Sequence, residues 1–194
     1  MTAAAPPSAS QKKKDARRCS NNPGEDPIPN VVVHVLRGQG AWPEEAEEIV
    51  TRAAKAALAV AHPAPRPGEL AVLLTDDTQL ADLNRRFRKR EGPTDVLSFP
   101  GESDTHNAPT HIGDIAIAYE RCSQDAAELK RPLAFHLSHL VIHGVLHCLG
   151  HDHEREEEAR AMEACERAAL ALLGWGEPYP DPIGLTQDME GDER

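Results

Sequence analysis

Four histidines fall within eleven residues, where 143–153 read His-Gly-Val-Leu-His-Cys-Leu-Gly-His-Asp-His. His143 and His147 are four apart, so on a helix they stand one above the other and can grip one metal ion. Gly150 follows, and glycine accepts the left-handed conformation with which helices close. His153 comes three residues later, where a chain turning back would bring a third imidazole to the same ion. Three neutral imidazoles with an open fourth position are the ligand set of a catalytic zinc; structural zinc is normally closed by four protein ligands. One Zn2+ per chain is therefore expected, on ligand type. His151 is the spare and is expected to face solvent or substrate. Cys148 is expected to pack inward as a small apolar residue.

The spacing His-x3-His-x2-Gly-x2-His also serves metzincin proteases, where a glutamate after the first histidine is the general base. Here that position is Gly144, which has no side chain to take a proton. The ligand cage is present and the protease base is absent. A protease-like zinc hydrolase is therefore disfavoured.

The elements that must position this cage are spread along a chain of 194 residues, enough for one ordinary domain. Residues 1–28 are rich in Pro, Ala, Ser and Lys without periodicity and are expected to be a disordered tail, and residues 181–194 form an acidic tail. A short β-branched run at 31–36 reads as a strand. A helix opens near Pro43 with Glu44 and Glu45 in its first turn and ends before Pro63. Residues 70–74 read as a buried strand, and Thr75 or Asp76 caps a helix carrying Leu80, Leu83 and Phe87. Strands are expected again at 96–99 and 113–118, with a polar loop between them in which His106 and His111 read as surface residues. After a helix at 120–130, Pro132 opens a long one that is apolar nearly all round, as a central buried helix is. It carries His136, His139, His143 and His147. His139 lies one turn before His143, where it could orient a ligand or serve as a hydrogen-bonded core histidine. A last helix spans about 154–173, beyond which Trp175 could fold back onto the core. The expected class is α+β: a single compact domain, 29–180, with a roughly four-stranded sheet and helices around the histidine-bearing one.

No 18-residue apolar run and no signal-peptide order occur, so no membrane span is expected. Cys19, Cys122, Cys148 and Cys165 are scattered, and a cytoplasmic protein with reduced thiols is the expectation. The net charge of −11 argues against nucleic acid only until its distribution is read. From His151 to Arg194 there are 13 acidic residues against four arginines, whereas Arg85-Arg86-Phe87-Arg88-Lys89-Arg90 sets five cations in six residues. That run is a solvated face or a local phosphate-binding patch.

Several ordered stretches resemble one family, the YbeY endoribonucleases, bacterial rRNA maturation factors. They are the 143–153 motif, Pro93-Thr94-Asp95-Val96-Leu97-Ser98-Phe99-Pro100, Leu83-Asn84 with Arg88, Gly113-Asp114-Ile115, Met162-Glu163 and Pro178-Tyr179. The resemblance covers roughly 30–180. Cys148 and His151 depart from it, standing where leucine and tyrosine are usual. It implies a zinc-dependent single-strand endoribonuclease acting in 16S rRNA 3′-end maturation and ribosome quality control. It further implies His143, His147 and His153 as metal ligands, and Arg88, with His143, as catalytic. The implied partners are an rRNA precursor in the small ribosomal subunit and a ribosomal protein or assembly GTPase. Asp114 and Asp152 are the nearest carboxylates in sequence for orienting a histidine or moving a proton. A non-catalytic assembly factor with a structural zinc is the alternative of a different class.

Overall fold

The protein is described from a computed structural model, which covers residues 18–19, 30–62, 67–89, 92, 94–101 and 110–178. Most of the two expected tails, and the loop with His106, lie outside these residues. The elements run β1 (Arg18–Cys19), β2 (Val31–Arg37), α1 (Ala46–Val60), β3 (Ala61–His62), β4 (Gly68–Thr75), α2 (Asp77–Leu83), a π-helical turn (Asn84–Arg88), β5 (Val96–Pro100), β6 (Thr110–Ala118), α3 (Tyr119–Glu128), α4 (Leu133–Cys148) and α5 (Glu156–Leu172). They make the expected α+β domain, with five α-helices and a four-stranded mixed sheet.

The sheet order is β2-β4-β6-β5. The first three strands are parallel, and β5 runs antiparallel along the open side of β6. The two-residue strands β1 and β3 pair separately. Alternation along each strand divides the side chains between two faces. Leu70, Val72, Leu74, Ile115 and Ile117 enter the main core with α1, α4 and α5. Leu97, Ala116 and Ala118 enter a smaller cluster under α2, with Leu80.

Ten of the sixteen residues of α4 are buried, which a helix pressed between the sheet and its companion helices requires. Gly144 lets it lie close against the sheet. A Cβ there would stand 3.0 Å from two methyl carbons of Ile115 and 3.1 Å from Ser98 Oγ. At the C-terminal end, Gly150 takes φ +87°. His151 N–H donates to Leu146 O and Gly150 N–H to His147 O, the paired bonds of a Schellman turn. Trp175 ends α5 in the same way and meets Phe135 edge-on, with centroids 5.6 Å apart. The expected return of Trp175 to the core is thus observed.

The expectation of four reduced thiols needs correction. Cys122 and Cys148 are free, but Cys165 is disulfide-bonded. Among the described residues, no helix is long and apolar enough to cross a membrane.

Candidate metal centre

The Schellman turn sends the chain back over the last turn of α4 and delivers His153 to the pair on the helix. His143, His147 and His153 each offer a ring nitrogen within 4.8 Å of the others. Ring centroids lie 4.5 Å apart for His143–His147, 5.0 Å for His147–His153 and 5.6 Å for His143–His153. The first two rings are half-buried and the third is exposed, so the cluster opens to solvent.

Hydrogen bonds behind the rings set their tautomers. His143 Nδ1 lies 2.8 Å from Glu166 Oε1, and His147 Nδ1 lies 3.1 Å from the carbonyl of His151. Both partners are pure acceptors, so both Nδ1 atoms carry the proton and both Nε2 atoms present lone pairs. Those Nε2 atoms stand 3.0 Å apart. Two lone pairs so close repel unless a cation lies between them. Nitrogens bound tetrahedrally at ~2.0–2.1 Å would stand ~3.3–3.4 Å apart, so a small ion fits with little adjustment. Burial first, then the neighbouring His143 and His153, hold His147 down at about 4, so its ring is neutral at pH 7, the form that can ligate a metal. The donor set therefore suits a divalent metal.

Glu166 is the residue that sequence reasoning missed. It sits on α5, 1% exposed, with Oε1 on His143 and Oε2 3.3 Å from His139 Nε2. Burial would push its carboxyl up, but the hydrogen bonds from His139 and His143 overturn this and hold it at about 2. A readable signal existed. Met162, Cys165, Ala169 and Leu170 form the buried stripe of α5, and Glu166 falls inside it. A carboxylate placed in an apolar stripe needs partners there. His139 is the hydrogen-bonded histidine that its spacing permitted, and it reaches His143 only through the shared Glu166 carboxylate.

Other expected residues fall elsewhere. Asp114 is exposed and pairs with His111, 3.0 Å away, and not with a cage histidine. Asp152 caps the turn, its Oδ1 accepting from His153 N–H at 2.8 Å, and so shapes the backbone at His153. His151 does not face solvent: it is 4% exposed. It holds the position after the turn glycine, where a side chain folds back on the helix, and its carbonyl is what orients His147. Gly144 points at the sheet, so a base at that position would be turned away from the ligands. Cys148 does pack inward, its Sγ 3.9 Å from Phe99 O and against Gly113.

Arg88 is outside the histidine cluster but linked to it through β5. It ends the π-helical turn, and its Nη2 donates to Ser98 O at 2.7 Å. Ser98 is the residue whose hydroxyl abuts Gly144. Arg85, Arg86, Arg88 and Lys89 are all exposed. Beside them Phe87, 65% exposed, meets Phe99 edge-on at 5.4 Å. The two rings line a cavity of about 380 Å³ with Leu36, Leu73, Leu83 and Asp114.

Comparison with known proteins follows the same lines. A family model described as Endoribonuclease YbeY matches residues 37–174. A protein named Endoribonuclease YbeY from Rhodopseudomonas palustris strain BisA53 is 46% identical over 148 residues, 74% of this chain and 86% of that protein. Its namesake from Chelativorans sp. strain BNC1 is 43% identical over 160 residues, 80% of this chain and 98% of that protein. A solution structure from Thermotoga maritima covers 79% of this chain and 99% of its own, at 23% identity and a TM-score of 0.46. By the family match and the curated relatives, this chain belongs to the endoribonuclease YbeY family.

Proposed function

We propose that the chain is a zinc-dependent single-strand endoribonuclease acting on a 16S rRNA 3′-end precursor in the small ribosomal subunit, in maturation and quality control. The observation that carries the metal dependence is the pair of inward-facing Nε2 lone pairs 3.0 Å apart. His143, His147 and His153 would hold the ion. When bound, zinc supplies Lewis acidity and lowers the pKa of water toward ~7. Glu166 and the His151 carbonyl keep the imidazoles in the ligating tautomer. Arg88 binds a phosphate oxygen of the scissile linkage with the donors that Ser98 leaves open, and stabilises the charge that builds there. Phe87 and the surrounding cations suit single-stranded RNA, whose bases stack on aromatic faces and whose phosphates seek positive charge.

The cytoplasm is the expected compartment, and a ribosomal protein or assembly GTPase the expected protein partner. The protease reading loses further ground because position 144 faces Ile115 and Ser98.

The test uses wild type and His147→Ala, with bound metal quantified, on a structured rRNA 3′-end precursor. About one zinc and cleavage for wild type, with neither for the variant, is the expected result. Equal zinc in both proteins would overturn the cage. Zinc without cleavage, even after ribosomal subunits are added, would overturn the nuclease role in favour of a structural ion. The termini of the cut RNA report whether water or the ribose 2′-hydroxyl attacks.

A further inference from the structure

Two helical turns ahead of His143, α4 carries another histidine that the centre does not use. His136 is 6% exposed, and neither of its ring nitrogens has a hydrogen-bond partner among the described residues. A buried imidazole without partners is costly and needs a reason. Facing it are Asp125 on α3 and Asp95 just before β5. One donor atom from each of the three lies within 4.8 Å of the others.

We propose that Asp95, Asp125 and His136 bind a second divalent cation, of the Mn2+ or Zn2+ class, at the junction of α3, α4 and β5. Two carboxylates and an imidazole are ligands shared by those ions, and three protein donors leave room for water. Two carboxylates held this close repel each other unless a cation lies between them. Arg121 offers the nearby positive charge, its Nε 3.6 Å from Asp125 Oδ2, and that Nε is itself buried without a hydrogen bond. One guanidinium does not balance two carboxylates, nor does it use the lone pair of His136. Burial first, then the nearby His139, hold the His136 ring below its ordinary value despite Asp125 and Asp95, which keeps that lone pair available at pH 7. The Asp125 side chain is 24% exposed, which gives an ion a way in. Asp95 is already oriented, its Oδ1 accepting from Val96 N–H at 3.1 Å.

Seven residues of helix separate His136 from His143, about 10 Å along the axis. Cooperating metal pairs stand ~3.5–4 Å apart, so the second ion is not a partner in the reaction. It ties β5, which carries Ser98, to the helix that carries the ligands.

The experiment is equilibrium dialysis of the full chain against MnCl2 at physiological salt, with bound manganese counted. Wild type, Asp125→Asn and the double variant His143→Ala/His147→Ala are compared. Wild type should hold one more tightly bound ion per chain than Asp125→Asn, and the double variant should keep one. Mn2+ should also raise the melting temperature of the double variant. Equal stoichiometry in wild type and Asp125→Asn, or no tight ion in a folded double variant, would overturn the proposal. If either of these misfolds, Asp95→Asn against wild type gives the same reading.

Discussion

Glutamine at position 166 tests how the centre is held. The Glu166 carboxylate is 1% exposed and lies 2.8 Å from His143 Nδ1 and 3.3 Å from His139 Nε2. Burial pushes its carboxyl up, yet the two histidines bring it from 4.5 to about 2. That fall corresponds to about 3 kcal/mol in favour of the ionised group in the folded protein. Glutamine keeps the outline and an oxygen for the His143 N–H, so Glu166→Gln removes charge and little else. Charge-assisted bonds are roughly twice as strong as neutral ones, so about half the hold on His143 should go. A loss of about 10- to 100-fold in zinc affinity is expected, the usual range for groups behind ligating histidines. Competition with a chromophoric chelator measures it. Metal-free stability supplies an independent check, because the folded-state pKa is depressed. The advantage of the wild type should be fully present above pH ~4.5 and vanish as pH falls toward 2, while the variant has none to lose. Denaturant melts in chelator should therefore show a gap of up to about 3 kcal/mol at pH 7 that closes in acid. Unchanged zinc affinity, or a gap that persists near pH 2, would refute the reasoning.

Three further outcomes are expected. Arg88→Ala should lower the rate of RNA cleavage by about 10²-fold with zinc content unchanged, and Arg88→Lys should recover only part of it, since an ammonium cannot form the two parallel bonds. Gly144→Ala gains about 1 kcal/mol of helix propensity but meets Ile115 and Ser98 at 3.0–3.1 Å, an overpacking worth about 1–3 kcal/mol. Its melt should move down or stay level; a clear rise would contradict the close approach. Cys122 and Cys148, each pushed up to about 12 by burial and nearby aspartates, should resist iodoacetamide in the folded protein at pH 8. Mass spectrometry of labelled peptides, native against denatured, reads this directly.

The clustering of His143, His147 and His153 was legible because its geometry is local. Helical periodicity fixes the His143–His147 pair, and Gly150 marks the turn that returns His153. Of the two caps offered for α2, Thr75 and Asp76, it is Asp76 that accepts from Gln79 N–H. The order β2-β4-β6-β5 was not legible, since parallel pairing joins strands separated by whole helices. Proximity in sequence also misdirected the search for the orienting carboxylate. Asp152 and Asp114 are close in the chain to the clustered histidines or to core strands, but Glu166 bonds His143 from a different helix, 23 residues further on. His151 was misread for a related reason. Among many exposed polar neighbours it looks like another surface residue, and only the turn geometry shows that its position must fold inward.

The surroundings of α4 bear on where the rest of the chemistry comes from. One side of the helix presents His143 and His147, with His143 held by Glu166 of α5, and Gly144 lies against Ile115 and Ser98 of the sheet. A protease of the same spacing draws its base from position 144, but here that position is used for contact with the sheet. Under the proposed function, charge stabilisation is assigned to another element. The basic turn after α2 is tied to this helix, because Arg88 is hydrogen-bonded to the carbonyl of the same serine that touches Gly144. On this reading, glycine at 144 and arginine at 88 are coupled features. The close approach that glycine permits brings β5 against the helix, and β5 in turn holds the guanidinium. A double-mutant cycle of Gly144→Ala and Arg88→Ala should then show less than additive loss of cleavage. Strict additivity would separate the two and leave Arg88 an independent surface cation.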